Sequence, residues 1–480
     1  MDFNIQQTLK PPHLAIVPSP GLGHLTPLIE LAKRLVVHHN FAVTFIIPND
    51  GSSMTPQKKI LEAVNLQSIS STFLPPIDLD DLPKDAHIVA RIILTMTRSL
   101  SALRDSLKVL NESTRVVALI VDVLGSDAFD VAIECNVAPY LFWSSNAMSL
   151  SFGFYLPSLD ETTSCAYQDM LEPVQLPGCV PLHGRDFLDP VHDRNNLGYK
   201  ATLSVSKKFK LAYGIMVNSF MDLEPEIFKA LKDAQVSQGF PAVYPVGPMI
   251  KPSSTGKSDG GEHECLSWLD SQPRGSVFFV AFGSGGTHSL EQMKELALGL
   301  EMSGQRFLWV VRTPNETTKN GTYFSSDAQQ KDPLSFLPDG FLERTKGVGL
   351  VVPSWAPQIQ VLSHESTGGF LTHCGWNSAL ESIVNGVPLI AWPLYAEQPT
   401  NAVLLADDIK IAWRVKMNDK GIVEAQDIAK YARGLIEGDE GRLLRNKMKE
   451  LKEAAKVALS QQGSSTKSLA EVAEILKGHK

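Results

Sequence analysis

The sequence predicts an α/β protein of two Rossmann-like, doubly wound domains facing each other across a cleft. Three observations carry that expectation. Short apolar runs alternate with stretches of helical periodicity, the pattern of parallel strands covered on both faces. The alternation starts near residue 13 and starts again after residue 275. At 480 residues the chain exceeds what one core usually accommodates, and residues 247–261 have the Gly/Pro/Ser content of a linker. The expected boundaries are an N-terminal domain over 1–248, a linker over 249–262, a C-terminal domain over 263–455, and a helical tail over 456–480 that packs back on the N-terminal domain.

In chain order, His13–Pro18 reads as a short buried strand and Ser19–Gly23 as turn chemistry. From Thr26, apolar residues at Leu28, Ile29, Ala32, Leu35 and Val36 fall at helical spacing. Phe41–Ile47 is a second strand, completing a βαβ unit. Val116–Val121 is a further strand, running into Asp122 and a glycine-containing loop. In the second half, strand Val277–Phe282 meets the turn Gly283–Gly286, and Ser289–Gln292 fits a capping box opening a helix that ends near Gly304. Strands Phe307–Val311, Gly349–Val352, Gly368–Thr372 and Leu389–Trp392 follow, with helices between them. Residues 313–335 are polar and irregular, as in a surface insertion. The charged stretch from Arg442 to Lys456 reads as the solvated face of an amphipathic helix.

Composition excludes several classes. The net charge of −8 argues against a nucleic-acid partner or an anionic membrane surface. Five scattered cysteines without a CxxC pair suit neither a disulfide framework nor a zinc site. No apolar run approaches the roughly 20 residues that span a bilayer. The polar N-terminus lacks the basic and apolar regions of a secretory leader, so a cytoplasmic protein is expected. A nicotinamide oxidoreductase would need a third glycine where Thr26 stands, and Phe282–Gly286 does not match the GxSxG of serine hydrolases.

In open α/β sheets, ligands sit beyond the carboxyl ends of the strands. His373, Cys374, Gly375, Trp376, Asn377 and Ser378 follow such a strand and open a helix, whose free N–H groups attract phosphate. Gly375 would admit an anion close to the backbone, and Gly283–Gly286 with Ser284 offers a second approach. Two such turns could clamp a diphosphate without a metal. Local structure alone would also account for part of this, because Ser378–Glu381 itself fits a capping box. His24 and Asp122 stand at the carboxyl ends of two further strands. A carboxylate on one imidazole nitrogen would fix the tautomer of a general base. Structural roles, a helix-start histidine and a strand-end cap, remain open for each residue taken singly.

The stretch from Trp355-Ala-Pro-Gln358 through His373–Ser378 and Glu381 to Glu397-Gln398 resembles the signature box of plant family-1 UDP-glycosyltransferases in length and spacing. Residues 18–24, the Asp122 strand end, Pro245–Pro248 and Phe282–Ser284 extend the resemblance along the chain. Departures are slight: Ala379 replaces a more usual hydroxyl residue, and Glu397 a frequent Asp. The resemblance implies a GT-B type fold and UDP-glucose as co-substrate, with no further cofactor and no metal. It implies that Trp355 stacks on uracil, that the Ala356 backbone pairs with its edge, and that Gln358 and Glu381 serve the ribose. His373, Asn377, Ser378 and Ser284 would hold the diphosphate. Trp376, Glu397 and Gln398 would read the sugar, and Tyr395 belongs to the same donor set. His24 would be the base and Asp122 its orienting acid, in an inverting transfer. Ser19, Leu124, Phe152 and Phe154 would line an aromatic acceptor pocket, although core packing is the ordinary role of such phenylalanines. Leu156–Cys165 and Leu176–Phe187 look like the hydroquinone glucosyltransferase (arbutin synthase) subgroup, which acts on small phenols. A small aromatic acceptor and UDP-glucose are thus the expected partners of a monomer, with a non-catalytic nucleotide-sugar sensor as the rival reading.

Overall fold

The computed structural model describes residues 10–83, 86–251, 263–321 and 332–479. Most of the expected linker, and residues 322–331 of the expected surface insertion, lie outside them. The N-terminal half carries seven strands: β1 (His13–Val17), β2 (Ala42–Asn49), β3 (Ile69–Pro76), β4 (Val116–Asp122), β5 (Ala138–Trp143), β6 (Gly214–Val217) and β7 (Ala242–Pro245). They form one parallel sheet in the order β3-β2-β1-β4-β5-β6-β7. The C-terminal half carries β8 (Val277–Ala281), β9 (Arg306–Val311), β10 (Gly349–Pro353), β11 (Thr367–Thr372), β12 (Leu389–Ala391) and β13 (Ala412–Arg414). Their order is β10-β9-β8-β11-β12-β13, again parallel.

Each sheet reverses its strand order once, between β1 and β4 in the first and between β8 and β11 in the second. Such switch points leave a crevice at the carboxyl edge, because the flanking connections run to opposite faces. His24 follows β1 and Asp122 ends β4 at the first crevice; Ser284 and His373 follow β8 and β11 at the second. The topology therefore collects the candidate residues before any side-chain detail is considered.

The first helix, Leu22–His39, starts four residues ahead of Thr26, so His24 sits within its opening turn. Apolar periodicity could not show this, since that turn is built from Leu22, Gly23 and His24 and only Leu25 begins the buried face. Pro27 lies inside this helix and has no N–H to give the Gly23 carbonyl one turn back. Asn377 Nδ2, from the other half of the chain, donates to that carbonyl at 2.8 Å. A helix defect on one side thus becomes a contact across the cleft.

The capping-box reading of Ser378–Glu381 fails. The helix runs Trp376–Asn385 with Gly375 as its N-cap and no side-chain cap, so Ser378 stands inside the first turn. Ser289 does cap its helix, accepting from the Gln292 N–H.

Two helices close the chain. Asp439–Ala458 buries Leu444, Met448, Leu451 and Ala455 beneath its charged face. Ser464–Gly478 packs Leu469, Val472, Ala473 and Leu476 into the same core as Leu14, Leu35 and Phe41. Arg115 donates to the Lys477 and His479 carbonyls, and Tyr140 Oη lies 2.9 Å from His479 Nε2. The last helix therefore rests on the first sheet. Among the described residues no helix is long and apolar enough to cross a membrane.

Candidate active site

His24 Nδ1 stands 2.6 Å from Oδ2 of Asp122. Asp122 is 0% exposed, and among the described residues the imidazole is its carboxylate's sole polar partner. Burial opposes charge on the His24 ring, but the charge and hydrogen bond of Asp122, helped by Glu397, raise its pKa above the ordinary value. With the proton held on Nδ1 by the carboxylate, Nε2 is the free nitrogen of a ring that lines a cavity of about 290 Å³. A free ring nitrogen beside an orienting carboxylate is the arrangement of a general base.

The cavity is apolar along its depth. Leu124 and Phe152 line it as expected, with Ile88, Ile92, Trp143 and Phe209 completing the wall. Two expected members are elsewhere. Phe154 stacks on Phe240 at 4.3 Å and meets Phe209 edge-on, inside the core. It lies two residues from Phe152 on the helix Ala147–Thr162, so the two rings leave it in nearly opposite directions. Ser19, two residues past β1, is also buried and does not line the cavity.

A second groove of about 460 Å³ adjoins the first, the two sharing Gly283, Ser284 and Ser378. Trp355, Ala356, Gln358 and Glu381 line it. Trp355 is 60% exposed, its ring 5.5 Å from that of His263. An indole left this open is not core packing; it offers a stacking face. Burial raises Glu381 to about 7, while Gln358, donating at 2.7 Å, opposes that shift. Gln358 also donates to Ser378 Oγ at 2.9 Å. The carboxylate so held can still accept from a pair of hydroxyl groups.

The junction of the two spaces is built around His373. A Cβ on Gly283 would come 2.4 Å from its Nε2, and a Cβ on Gly375 equally close. Both glycines are required by the ring that lies between them. Burial, then the nearby Arg312 charge, lowers His373 to about 4, so the ring is neutral at physiological pH. Its Nδ1 has no partner among the described residues, nor has Oδ1 of Asn377. The start of the helix Trp376–Asn385 faces the same space, which is therefore suited to an anion.

Three non-glycine residues with left-handed backbone precede expected donor residues: Ser354 at φ 63°, Cys374 at 65° and Ala396 at 56°. Such conformations cost about 1–3 kcal/mol and persist where surroundings impose them. Tyr395, Glu397 and Gln398 all line the first cavity near His24. The side-chain Oε1 of Gln398 accepts from the Leu394 and Tyr395 N–H groups, which fixes the orientation of its amide. Burial raises the pKa of Glu397, and His24 moderates that rise. Burial also raises the Tyr395 phenol. Trp376 lines the same cavity, but it is 3% exposed and its indole N–H is spent on the Asn218 carbonyl at 2.7 Å. Any contact it makes with a sugar comes from its ring or backbone.

Arg312 and His263 line the groove of Trp355, and Ile88, Leu188 and Pro190 the cavity of His24, without being singled out by sequence. Arg312 follows strand β9 directly, so the rule that located His24 also reaches it. Among the described residues no group of three or more His, Cys, Asp or Glu side chains is arranged to hold a metal.

The family model described as UDP-glucoronosyl and UDP-glucosyl transferase matches residues 243–439. Over its length the chain is similar to the hydroquinone glucosyltransferase of Rauvolfia serpentina, 58% identical over 462 residues, covering 96% of this chain and 97% of the relative. It is 54% identical to UDP-glycosyltransferase 72B1 of Arabidopsis thaliana, over 98% of this chain and 97% of that one. Among solved structures, a UDP-glucosyltransferase from Polygonum tinctorium capable of glucosylating indoxyl, in complex with 3,4-dichloroaniline, superposes with a TM-score of 0.91. That match is at 50% identity and covers 98% of this chain and all of the other. UGT2 of Phytolacca americana, complexed with UDP-2-fluoro-glucose and pterostilbene, superposes with a TM-score of 0.88 at 50% identity, over 97% and 99% of the two chains.

Proposed function

The chain belongs to the family of UDP-glucosyl and UDP-glucoronosyl transferases, and from that premise we propose a UDP-glucosyltransferase that makes β-glucosides of small phenolic or heteroaromatic hydroxyls. Hydroquinone, chlorophenol, indoxyl and monolignol-type alcohols are the acceptors of choice, with aromatic amines as a second class. The similarity to a hydroquinone glucosyltransferase and to an enzyme that glucosylates indoxyl supports that range.

In this reading uracil lies on Trp355, the ribose hydroxyls reach Glu381, and the diphosphate lies between Ser284, His373 and the helix start at Trp376. The glucose then projects toward Glu397 and Gln398, beside His24. An acceptor hydroxyl entering the apolar cavity gives its proton to His24 Nε2 as its oxygen attacks the anomeric carbon. The bond to the UDP oxygen breaks on the opposite side, so the configuration inverts. Asp122 stabilises the imidazolium until its proton is released, and the products are the β-glucoside, UDP and one proton. The leaving diphosphate is stabilised by N–H groups already in place, and neither a metal nor a second copy of the chain is part of the scheme. A cytoplasmic location suits the composition.

One observation carries this reading: His24, 2.6 Å from the buried Asp122, lines a cavity that adjoins the groove of Trp355 and Glu381. A sensor that only bound nucleotide sugars would have no use for a base at that junction. The test is an assay of the purified chain with UDP-glucose and EDTA against a panel of hydroquinone, a chlorophenol, coniferyl alcohol, indoxyl and a flavonol, read by mass spectrometry. Monoglucosides of the small aromatics are expected, without added metal. Tight UDP binding with no glucoside on any acceptor would favour the sensor.

A further inference from the structure

We propose that Asp189 is a positioning residue for glucose, holding the turn that presents Glu397 and Gln398. The inference rests on the donor reading above and adds to it a residue from the opposite half of the chain. Asp189 opens a short 3-10 turn, Asp189–Val191, in the N-terminal half. Its Oδ1 accepts from the Ala396 N–H at 2.7 Å, and its own N–H donates to the Ala396 carbonyl at 2.9 Å. Both polar backbone groups of Ala396 are therefore held by one residue. Ala396 is among the few non-glycine residues in the left-handed region, at φ 56°, a conformation its own side chain disfavours. The residue that follows is Glu397, and the next is Gln398.

The other carboxylate oxygen is anchored in turn. Asp189 Oδ2 lies 3.2 Å from His87 Nε2, while His87 Nδ1 accepts from the Val89 N–H at the start of the helix Ile88–Arg98. An accepting Nδ1 places the ring proton on Nε2, where it can be donated to Asp189. On either side of Asp189, Leu188 and Pro190 line the acceptor cavity, as do Ile88 and Ile92 beyond His87. The wall of the acceptor cavity and the sugar-reading turn are thus joined through a single carboxylate. The uracil and ribose contacts lie in the adjoining groove and do not depend on it.

A residue that merely tied the two halves together would affect UDP and UDP-glucose alike; a positioning residue for glucose separates them. Binding of UDP and of UDP-glucose is measured by calorimetry on the full chain and on Asp189→Ala, together with kcat/KM for UDP-glucose and UDP-galactose. UDP binding should stay within about twofold, while the advantage of UDP-glucose over UDP falls about tenfold, the scale of one lost hydrogen bond to a charged group. The preference for UDP-glucose over its C4 epimer should shrink in parallel. Asp189→Asn, which keeps an oxygen for the Ala396 N–H, should recover most of both. If Asp189→Ala fails to fold, His87→Ala serves, with the same sugar-specific pattern at smaller size. Equal weakening of UDP and UDP-glucose, or no change in either ratio, would overturn the inference. Absence of any glucoside from the unmodified chain would instead overturn the proposed function, and the binding ratio would still decide the role of Asp189.

Discussion

Replacing His24 with alanine is expected to lower kcat for phenol glucosylation by about 10²- to 10⁴-fold, the usual worth of a positioned general base. UDP affinity should stay within about twofold, because His24 lines the acceptor cavity and not the groove around Trp355. Two measurements on one variant check this: single-turnover glucoside formation, and calorimetric binding of UDP. The same side chain fixes the sign of the pH dependence. Asp122 raises its pKa above the ordinary histidine value of about 6.5. The base is the neutral form, present in full above the raised pKa and lost as pH falls through it. Log kcat/KM should therefore rise with pH to a plateau, with its inflection above about 6.5, and the alanine variant should lose that inflection. Near-normal turnover by the variant, or a wild-type inflection below the ordinary value, would assign the base elsewhere.

The second large effect concerns a residue without a side chain. Gly283 adopts φ 71°, and a Cβ there would lie 2.4 Å from His373 Nε2 and 2.5 Å from its Cε1. Gly283→Ala must displace the imidazole from the junction of the two cavities or distort the turn after β8. Losing the His373 contact from that junction, worth about 1–3 kcal/mol for a buried hydrogen-bonding group left without its partner, translates into roughly 10- to 100-fold weaker UDP binding. A control separates backbone strain from the clash. Gly275 has φ 64°, but a Cβ there would meet nothing within 4 Å, so Gly275→Ala carries the conformational cost alone. Both variants should lose melting temperature, yet UDP affinity should fall only for Gly283→Ala. Equal UDP affinity in both would mean that the His373 ring is not part of the donor cradle.

Much of this was legible in the sequence because the strongest strands are also the ones that carry the site. β1, β4, β8 and β11 are fully buried along their length, and at or soon after their carboxyl ends stand His24, Asp122, Ser284 and His373. The weaker strands gave less signal for physical reasons. β3 is an edge strand whose middle, Ser70–Thr72, is exposed and polar, β5 carries Pro139 near its start, and β6 and β13 are only four and three residues long. Trp143 and the cavity wall beyond it went unnoticed with β5. Phe154 lies apart from Phe152 because proximity in sequence says nothing of direction until the helix phase is fixed. The Ser378 capping pattern misled for a similar reason: its three-residue spacing is correct, but the helix had already begun at Trp376.

Asp189 had no such handle. It belongs to an irregular segment, and its importance comes from Ala396, 207 positions away. The same holds for the bond from Asn377 to Gly23, which exists because Pro27 leaves a carbonyl without its helical donor. Contacts across the cleft are set by the packing of two halves, and no local pattern in either half encodes them.

The anomeric configuration of the glucoside formed from UDP-glucose and hydroquinone bears most directly on the central claim, that one base drives one displacement at the junction of the two crevices. Proton NMR of the product, recorded as it accumulates, distinguishes the anomers by their coupling constants. A β-glucoside as the sole first-formed product is expected from direct attack by a hydroxyl deprotonated at His24. An α-glucoside, or release of free glucose and UDP without transfer to the phenol, would contradict it.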